Sequence, residues 1–99
     1  MAIVETSITP IGTGTPSVSK YVAKCHQVLE EYPDLQYQLT PMGTVIEGEL
    51  SRIFEAIAKM HEVPFDHGAS RVSTLIKVDD RRDKKGTMEG KMRSVMDKL

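Results

Sequence analysis

Apolar and polar residues alternate in four segments of the chain, and this period of two predicts β-strands. In the first segment Val4, Thr6 and Ile8 share one face, and the last segment repeats the pattern. The Pro-Met-Gly tripeptide at positions 41–43 predicts a tight turn that joins the second and third strands. The predicted strands are Ala2 to Thr9, Leu35 to about Thr40, Thr44 to Glu47, and Arg71 to about Asp80.

Apolar residues at helical spacing predict three amphipathic helices between and after these strands. Ser17 is a suitable N-cap for the first helix, and Pro33 is expected to end it. Pro64 falls inside the second helix, which we expect to continue with a kink until Gly68 supplies a C′ residue. The predicted helices cover residues 18–32, residues 49 to about 67, and residues 87 to about 98.

The order β-α-β-β-α-β predicts an α+β fold, the ferredoxin-like sandwich, with an extra C-terminal helix. Residues 1–99 are expected to form a single domain. The first two helices would cover one face of a four-stranded antiparallel sheet and leave its second face open. This open face would be too apolar for free exposure, which favours a second sheet packed against it and hence self-association. Its predicted residues are Ile3, Glu5, Ser7, Thr44, Ile46, Ser73, Leu75 and Lys77.

Composition argues against several classes of function. The 13 basic and 14 acidic residues give a net charge of −1, and aromatic residues make up 5% of the chain, so we expect no nucleic-acid partner. No apolar run approaches the roughly 18 residues of a membrane span, and the first residues lack a signal-peptide pattern. Cys25 is the single cysteine, which excludes an internal disulfide. We therefore expect a cytoplasmic protein without a membrane partner.

Glu47 is the most suggestive polar residue, because it lies where a strand, a glycine and a helix start meet. A carboxylate there could accept hydrogen bonds from a ligand's amino group or ring nitrogen. It could equally stabilise the helix N-terminus through the macrodipole, although Glu49 fits that role better. Thr44 lies three positions earlier on the same strand, so the two side chains point to opposite faces unless a bulge re-aims one of them.

Other candidate sites are weaker. The loop from Gly12 to Ser17 could bind phosphate, but it lacks the features of a P-loop, and its composition favours a capped helix entry. Cys25 lies on an apolar helix stripe, and His61 and His67 do not share a helical face, so a metal site is not expected. The alternating charges at positions 79–85 predict a solvated segment with mutual ion pairs. The methionine stripe of the last helix would pack against a neighbouring subunit.

Four motifs are more specific than periodicity: Thr9-Pro10-Ile11-Gly12-Thr13, Ser17-Val18-Ser19, the segment from Pro41 to Glu49, and Arg71-Val72 followed by Ile76 to Lys84. With these motifs the chain resembles, nearly end to end, the thiamine-binding protein family of small βαββαβ proteins. The resemblance implies subunits whose sheets pair into dimers and stack into tetramers. It also implies binding of thiamine or its hydroxymethylpyrimidine moiety without known catalysis. The matching positions imply Thr44 and Glu47 as principal ligand-binding residues, with Ser19 and Met42 secondary.

The resulting hypothesis is a cytoplasmic homodimer or homotetramer that binds thiamine or a related pyrimidine between packed sheets. We expect no catalytic residue, no metal and no cofactor besides this ligand. A regulatory or scaffolding module that associates with itself and senses another metabolite is the alternative. An enzyme of thiamine metabolism is a third possibility, and the absence of a recognisable nucleophile–base pair in the sequence argues against it.

Overall fold

The computed structural model describes residues 1–14, 19–83 and 86–99. Its elements follow the predicted order, and the fold is the expected α+β ferredoxin-like sandwich with an added C-terminal helix. The N-cap prediction for Ser17 lies outside the described residues. The elements are β1 (Ala2–Pro10), α1 (Ser19–Gln27), a short 3₁₀ helix (Val28–Glu31), β2 (Gln36–Thr40), β3 (Gly43–Gly48), α2 (Leu50–Asp66), β4 (Val72–Asp80) and α3 (Met88–Met96).

The four strands form one antiparallel sheet in the order β2-β3-β1-β4. The first helical segment is divided into α1 and the 3₁₀ helix, and the N–H of Tyr32 closes the 3₁₀ helix by donating to the Leu29 carbonyl. Helix α2 continues through Pro64, as predicted, and ends just before Gly68. Gly68 has a φ of +98° and its N–H donates to the Phe65 carbonyl, which confirms its predicted place after the helix.

The core lies between α1, α2 and one face of the sheet, which we call the helix-covered face. Val4 and Ile46 from the two central strands are fully buried there against Leu29, Ile53 and Met60. Each of these apolar side chains removes its surface from water within a single chain, which is the main source of stability for a domain of this size.

The opposite face, which we call the open face, corrects one prediction from the sequence. Thr44 and Ile46 were expected on it, but they pair with Thr6 and Val4 in the register of β1 and β3 and lie on the helix-covered face. Directly opposed residues of an antiparallel pair share a face, so β3 contributes Val45 and Glu47 to the open face instead. In β3 the consecutive residues Val45 and Ile46 are both apolar and point to opposite faces of the sheet. Alternation alone therefore does not determine which face of the strand packs against the helices.

The remaining predictions for the open face are confirmed by the register of β1 and β4. Glu5 pairs with Lys77 and Ser7 with Leu75, and Leu75 is 70% exposed. Helix α3 lies over one end of this face, where Lys91 forms an ion pair with Asp79 of β4. None of the α3 side chains is buried. Helix α3 is therefore held to the sheet by few contacts, and much of the open face remains accessible.

Candidate functional site

In the described residues one cleft adjoins the helix-covered face of the sheet and two adjoin the open face beside α3, and we call the one that Glu47 lines the open-face cleft. The open-face cleft has a volume of about 500 Å³ and lies between the sheet and α3, where Gln36, Gln38, Glu47, Met88 and Met92 line it. The helix-side cleft has a volume of about 190 Å³ and lies beside the β2–β3 turn. The described residues that line it include Thr6, Val22, Met42, Thr44 and Met60, and none of these described residues is charged.

The structure places the four site residues expected from the sequence in different parts of the molecule. Glu47 lines the open-face cleft, whereas Met42 and Thr44 line the helix-side cleft. Ser19 is the first residue of α1, is exposed, and is not among the residues that line either cleft. Because the sheet backbone separates Thr44 from Glu47, a small ligand bound to one subunit can contact only one of these two side chains.

Glu47 is the only acidic residue of the sheet that is buried, with 7% of its surface exposed. Its Oε2 accepts a hydrogen bond of 3.5 Å from the N–H of Met88 at the start of α3. That length is beyond the usual range for N–H···O bonds, so the contact is weak. A buried carboxylate can accept several strong hydrogen bonds, and in the described residues Glu47 accepts only this long one.

A purely structural role for Glu47 is also visible, and it differs from the one considered from the sequence. The carboxylate lies at the N-terminus of α3 rather than of α2, where the helix dipole favours a negative charge by about 0.3–1 kcal/mol. Thr87 already caps this helix, since its Oγ1 accepts a hydrogen bond from the Gly90 N–H at 2.9 Å. Glu49, in contrast, is the N-cap residue of α2 and accepts a hydrogen bond from the Ser51 hydroxyl.

Sequence reasoning did not identify Gln36, Gln38, Met88 and Met92 as neighbours of Glu47. The two glutamines could have been found, because they alternate with Tyr37 and Leu39 on β2 and so face away from the helices. The methionines could not, since their position depends on where α3 docks. The apolar spacing of α3 predicts a helix but does not indicate that this helix folds back over its own sheet.

Cys25, His61 and His67 have hydrogen-bond partners in this fold, whereas Nδ1 of His26 is buried without one among the described residues. The Cys25 thiol is buried and donates to the Met60 carbonyl oxygen at 3.4 Å, and burial raises its pKa to about 11. It therefore stays protonated at neutral pH and is a poor nucleophile. Nδ1 of His61 lies 2.6 Å from Thr74 Oγ1, and Nδ1 of His67 lies 2.9 Å from the Val63 carbonyl oxygen. Among the described residues, no three His, Cys, Asp or Glu side chains cluster as a metal site would require.

The charged segment after β4 forms the mutual ion pairs that its sequence predicts. Arg81 pairs with Asp83, and Arg82 pairs with Asp80. Lys84 and Lys85 lie outside the described residues. Exposed pairs of this kind contribute little to stability. A third groove lies between α3 and the β1–β4 side of the open face, and three of the charged residues that line it, Asp79, Arg81 and Lys91, are in ion pairs.

This geometry defines a class of protein, namely ferredoxin-like domains with an accessible sheet face and a buried carboxylate on it. The chain belongs to the thiamine-binding protein family, whose model matches residues 4–96. Over 98 residues it is 56% identical to the UPF0045 protein YqgV of Bacillus subtilis, covering 96% of this chain and 94% of that protein.

Solved structures agree on the fold. The chain is 39% identical to a hypothetical protein of Methanocaldococcus jannaschii, with a TM-score of 0.88 and coverage of 96% of this chain and 95% of the other. A candidate thiamine biosynthesis/salvage protein of Thermotoga maritima superposes with a TM-score of 0.77 at 16% identity, covering 95% of this chain and 97% of the other. This second likeness shows the shared fold. Separately, none of the helices in the described ranges combines the length and the apolar character needed to cross a bilayer.

Proposed function

We propose that this protein binds thiamine, or its hydroxymethylpyrimidine moiety, in the open-face cleft and does not convert it chemically. The observation that carries this proposal is Glu47, a buried carboxylate with one long hydrogen bond in a chain of the thiamine-binding family. Sites that recognise small ligands are mostly apolar concavities with a few polar groups that fix orientation. In the open-face cleft the apolar walls are Met88 and Met92, and the polar groups come from Gln36, Gln38, Glu47, Thr87 and Glu89.

The chemistry of an aminopyrimidine matches the groups in this cleft. Its exocyclic amino group donates hydrogen bonds, which the Glu47 carboxylate accepts, and its ring nitrogens accept hydrogen bonds from the side-chain amide of Gln36 or Gln38. Thioether side chains make favourable contacts with aromatic rings, which suits Met88 and Met92 as walls for the flat pyrimidine. The positive thiazolium ring of intact thiamine would gain a further electrostatic attraction to Glu47.

A second copy of the chain would complete this site. Leu75 and Met92 are 70% and 62% exposed on the open face and on α3, respectively, and together they favour contact with another apolar surface. We therefore propose a homodimer or homotetramer with ligands between packed sheets, in the cytoplasm. Light scattering at micromolar concentration tests the assembly, and a monomer would contradict this part of the proposal.

Calorimetric titration tests the ligand. We expect heat from thiamine or from hydroxymethylpyrimidine, and at least a tenfold loss of affinity in Glu47→Gln, since a charge-assisted hydrogen bond contributes about 1.5–3 kcal/mol. Glu49→Gln is the matched control, because it removes the same charge from an exposed residue nearby and should bind normally. No heat from either compound up to millimolar concentration would refute thiamine binding, and normal affinity in Glu47→Gln would remove Glu47 from the site.

The alternative is a self-associating regulatory or scaffolding module that responds to another metabolite. The exposed Leu75 and Met92 favour it as well, because apolar exposure supports association without a pyrimidine ligand. An oligomer that gives no heat with either pyrimidine compound but responds to a member of an amino-acid panel would favour this alternative.

A further inference from the structure

Charges of opposite sign line the two grooves beside α3. The open-face cleft has the carboxylates of Glu47 and Glu89, and none of the described residues that line it is basic. The third groove, on the β1–β4 side of the open face, has a volume of about 620 Å³, and we call it the basic groove. Three cationic side chains and one carboxylate are among its described lining residues, namely Arg81, Lys91, Lys98 and Asp79.

The cations of the basic groove are accessible to a ligand. Lys91 pairs with Asp79 and Arg81 pairs with Asp83, but each of these four side chains is at least half exposed. Exposed pairs contribute little to stability, so an anionic ligand can replace a carboxylate in them. Lys98 forms no ion pair with another residue in the described ranges.

The first turn of α3 also forms part of the basic groove. Thr87 and Gly90 line it, and the dipole of α3 favours an anion near this end of the helix. A compact anion in the groove would therefore contact several cations at once and lie beside a favourable helix terminus.

The basic groove and the open-face cleft lie close enough for one molecule to occupy both. Thr87 lines both of them. In the sheet, Glu47 of β3 pairs with Ile3 of β1, and Ile3 pairs in turn with Asp79 of β4. Two strand spacings, about 10 Å, therefore separate the backbone at Glu47 from the backbone at Asp79. An extended molecule of two linked rings with a charged substituent is long enough to span this distance.

We propose that the basic groove binds the phosphate group of a ligand whose aminopyrimidine ring lies in the open-face cleft. This inference rests on the proposed function, and it specifies the ligand as a phosphate monoester of thiamine. Ammonium and guanidinium groups bind phosphate through charge-assisted hydrogen bonds, which Lys98, Lys91 and Arg81 can supply. Glu47 would repel the phosphate, so the charges of the two grooves also determine which end of the ligand each groove receives.

Calorimetric titration compares thiamine with thiamine monophosphate. We expect the monophosphate to bind about tenfold tighter at low salt, because its phosphate adds contacts with several exposed cations. The ratio of the two affinities should approach one in about 1 M salt, where the Debye length is about 3 Å. Equal or weaker binding of the monophosphate at low salt would overturn the phosphate site, whereas the proposal that the chain binds thiamine would stand.

Inorganic phosphate tests the basic groove without a pyrimidine. We expect it to shift the amide NMR signals of Gly90 and Lys91 in the isotope-labelled full chain, with saturation in the millimolar range, and to leave those of Gln36 and Gln38 in place. Such shifts combined with no heat from thiamine would support the phosphate site and refute thiamine binding. A lack of saturable shifts from both inorganic phosphate and thiamine monophosphate would overturn the phosphate site.

Variants separate a local contact from a response to net charge. Lys98→Gln should lower the affinity ratio of monophosphate to thiamine about threefold, because one exposed cation is removed from the groove. Lys77→Gln is the matched control, since it removes the same charge from an exposed residue of the open face that is not among those lining the groove. Equal effects of the two variants on the ratio would overturn the phosphate site.

The Glu47→Gln variant tests whether the two ends of the ligand bind independently. It should weaken thiamine and thiamine monophosphate by the same factor, because both place the same pyrimidine in the open-face cleft. The affinity ratio should therefore stay at its wild-type value. Loss of the ratio in Glu47→Gln would overturn the assignment of the phosphate to the basic groove.

Discussion

On the helix-covered face Val4 and Ile46 are fully buried within one chain, whereas on the open face the neighbouring Val45 and Leu75 retain contact with solvent. The same four strands form both faces, with alternate residues assigned to each face. The covered face therefore supplies most of the stability of the isolated chain. The open face contributes less to that stability and holds the groups that a ligand or a second subunit can reach.

The largest expected effect compares adjacent residues of β3. Ile46→Ala removes a fully buried side chain and should lower the free energy of unfolding by about 2–5 kcal/mol. Val45→Ala on the open face should lower the free energy of unfolding of a monomeric chain by about 1 kcal/mol or less. Urea denaturation, at a concentration where light scattering reports monomers, measures both. Equal losses would show that the two faces do not differ in this way.

A smaller loss is expected at Gly43, where β3 approaches β1 closely. An added Cβ would lie 2.5 Å from the Thr6 carbonyl oxygen, so the two strands would have to separate. Overpacking of this kind usually costs about 1–3 kcal/mol. Gly43→Ala should therefore shift the urea midpoint downward, whereas Gly86→Ala, which meets no atom within 4 Å, should not. An unchanged urea midpoint in Gly43→Ala would contradict this prediction, because it would show that β1 and β3 can separate without a loss of stability.

The buried thiol gives the helix-covered face a dependence on pH. Burial raises the pKa of Cys25 from 9.0 to about 11, so the folded chain keeps this proton at a pH where the unfolded chain releases it. The associated stability is complete below about pH 9 and is lost as the pH rises towards 11. The urea midpoint of the wild type should fall across this window relative to that of Cys25→Ala. Parallel pH profiles for the two proteins would contradict this prediction.

The smallest effect on global stability concerns the attachment of α3 to the open face. Lys91→Ala removes the ion pair between Lys91 and Asp79, two side chains that are each about half exposed. The free energy of unfolding should therefore fall by about 1 kcal/mol or less. Amide hydrogen exchange in residues 88–96 should nevertheless become faster, because few other contacts hold this helix. Lys98→Ala removes a cation from the same end of the chain and serves as control. Unchanged exchange in Lys91→Ala would show that other contacts position α3.

Periodicity in the sequence predicted the strands, the helices and their order, because burial on one side imposes a period on each element. It failed for the phase of β3, where Val45 and Ile46 are both apolar and the pairing with β1 decides which one faces the helices. The spacing of Thr44 and Glu47 correctly indicated opposite faces. It could not show that each lines a different cleft, since one cleft depends on the docking of α3 and the other on the β2–β3 turn.

The register of β1 bears on how the chain folds while it is being synthesised. Strand β1 leaves the ribosome first, yet Ala2 pairs with Gly48 of β3 and with Asp80 of β4. Until β4 has emerged, a strand that will be central has one edge without a partner, and such an edge can pair with another nascent chain. We expect the last step of sheet formation to wait until β4 is available, and the long separation between partners makes it slower than folding of a helical bundle of equal size. Molecular chaperones that cover exposed strand edges would therefore act on this chain before its final strand is in place.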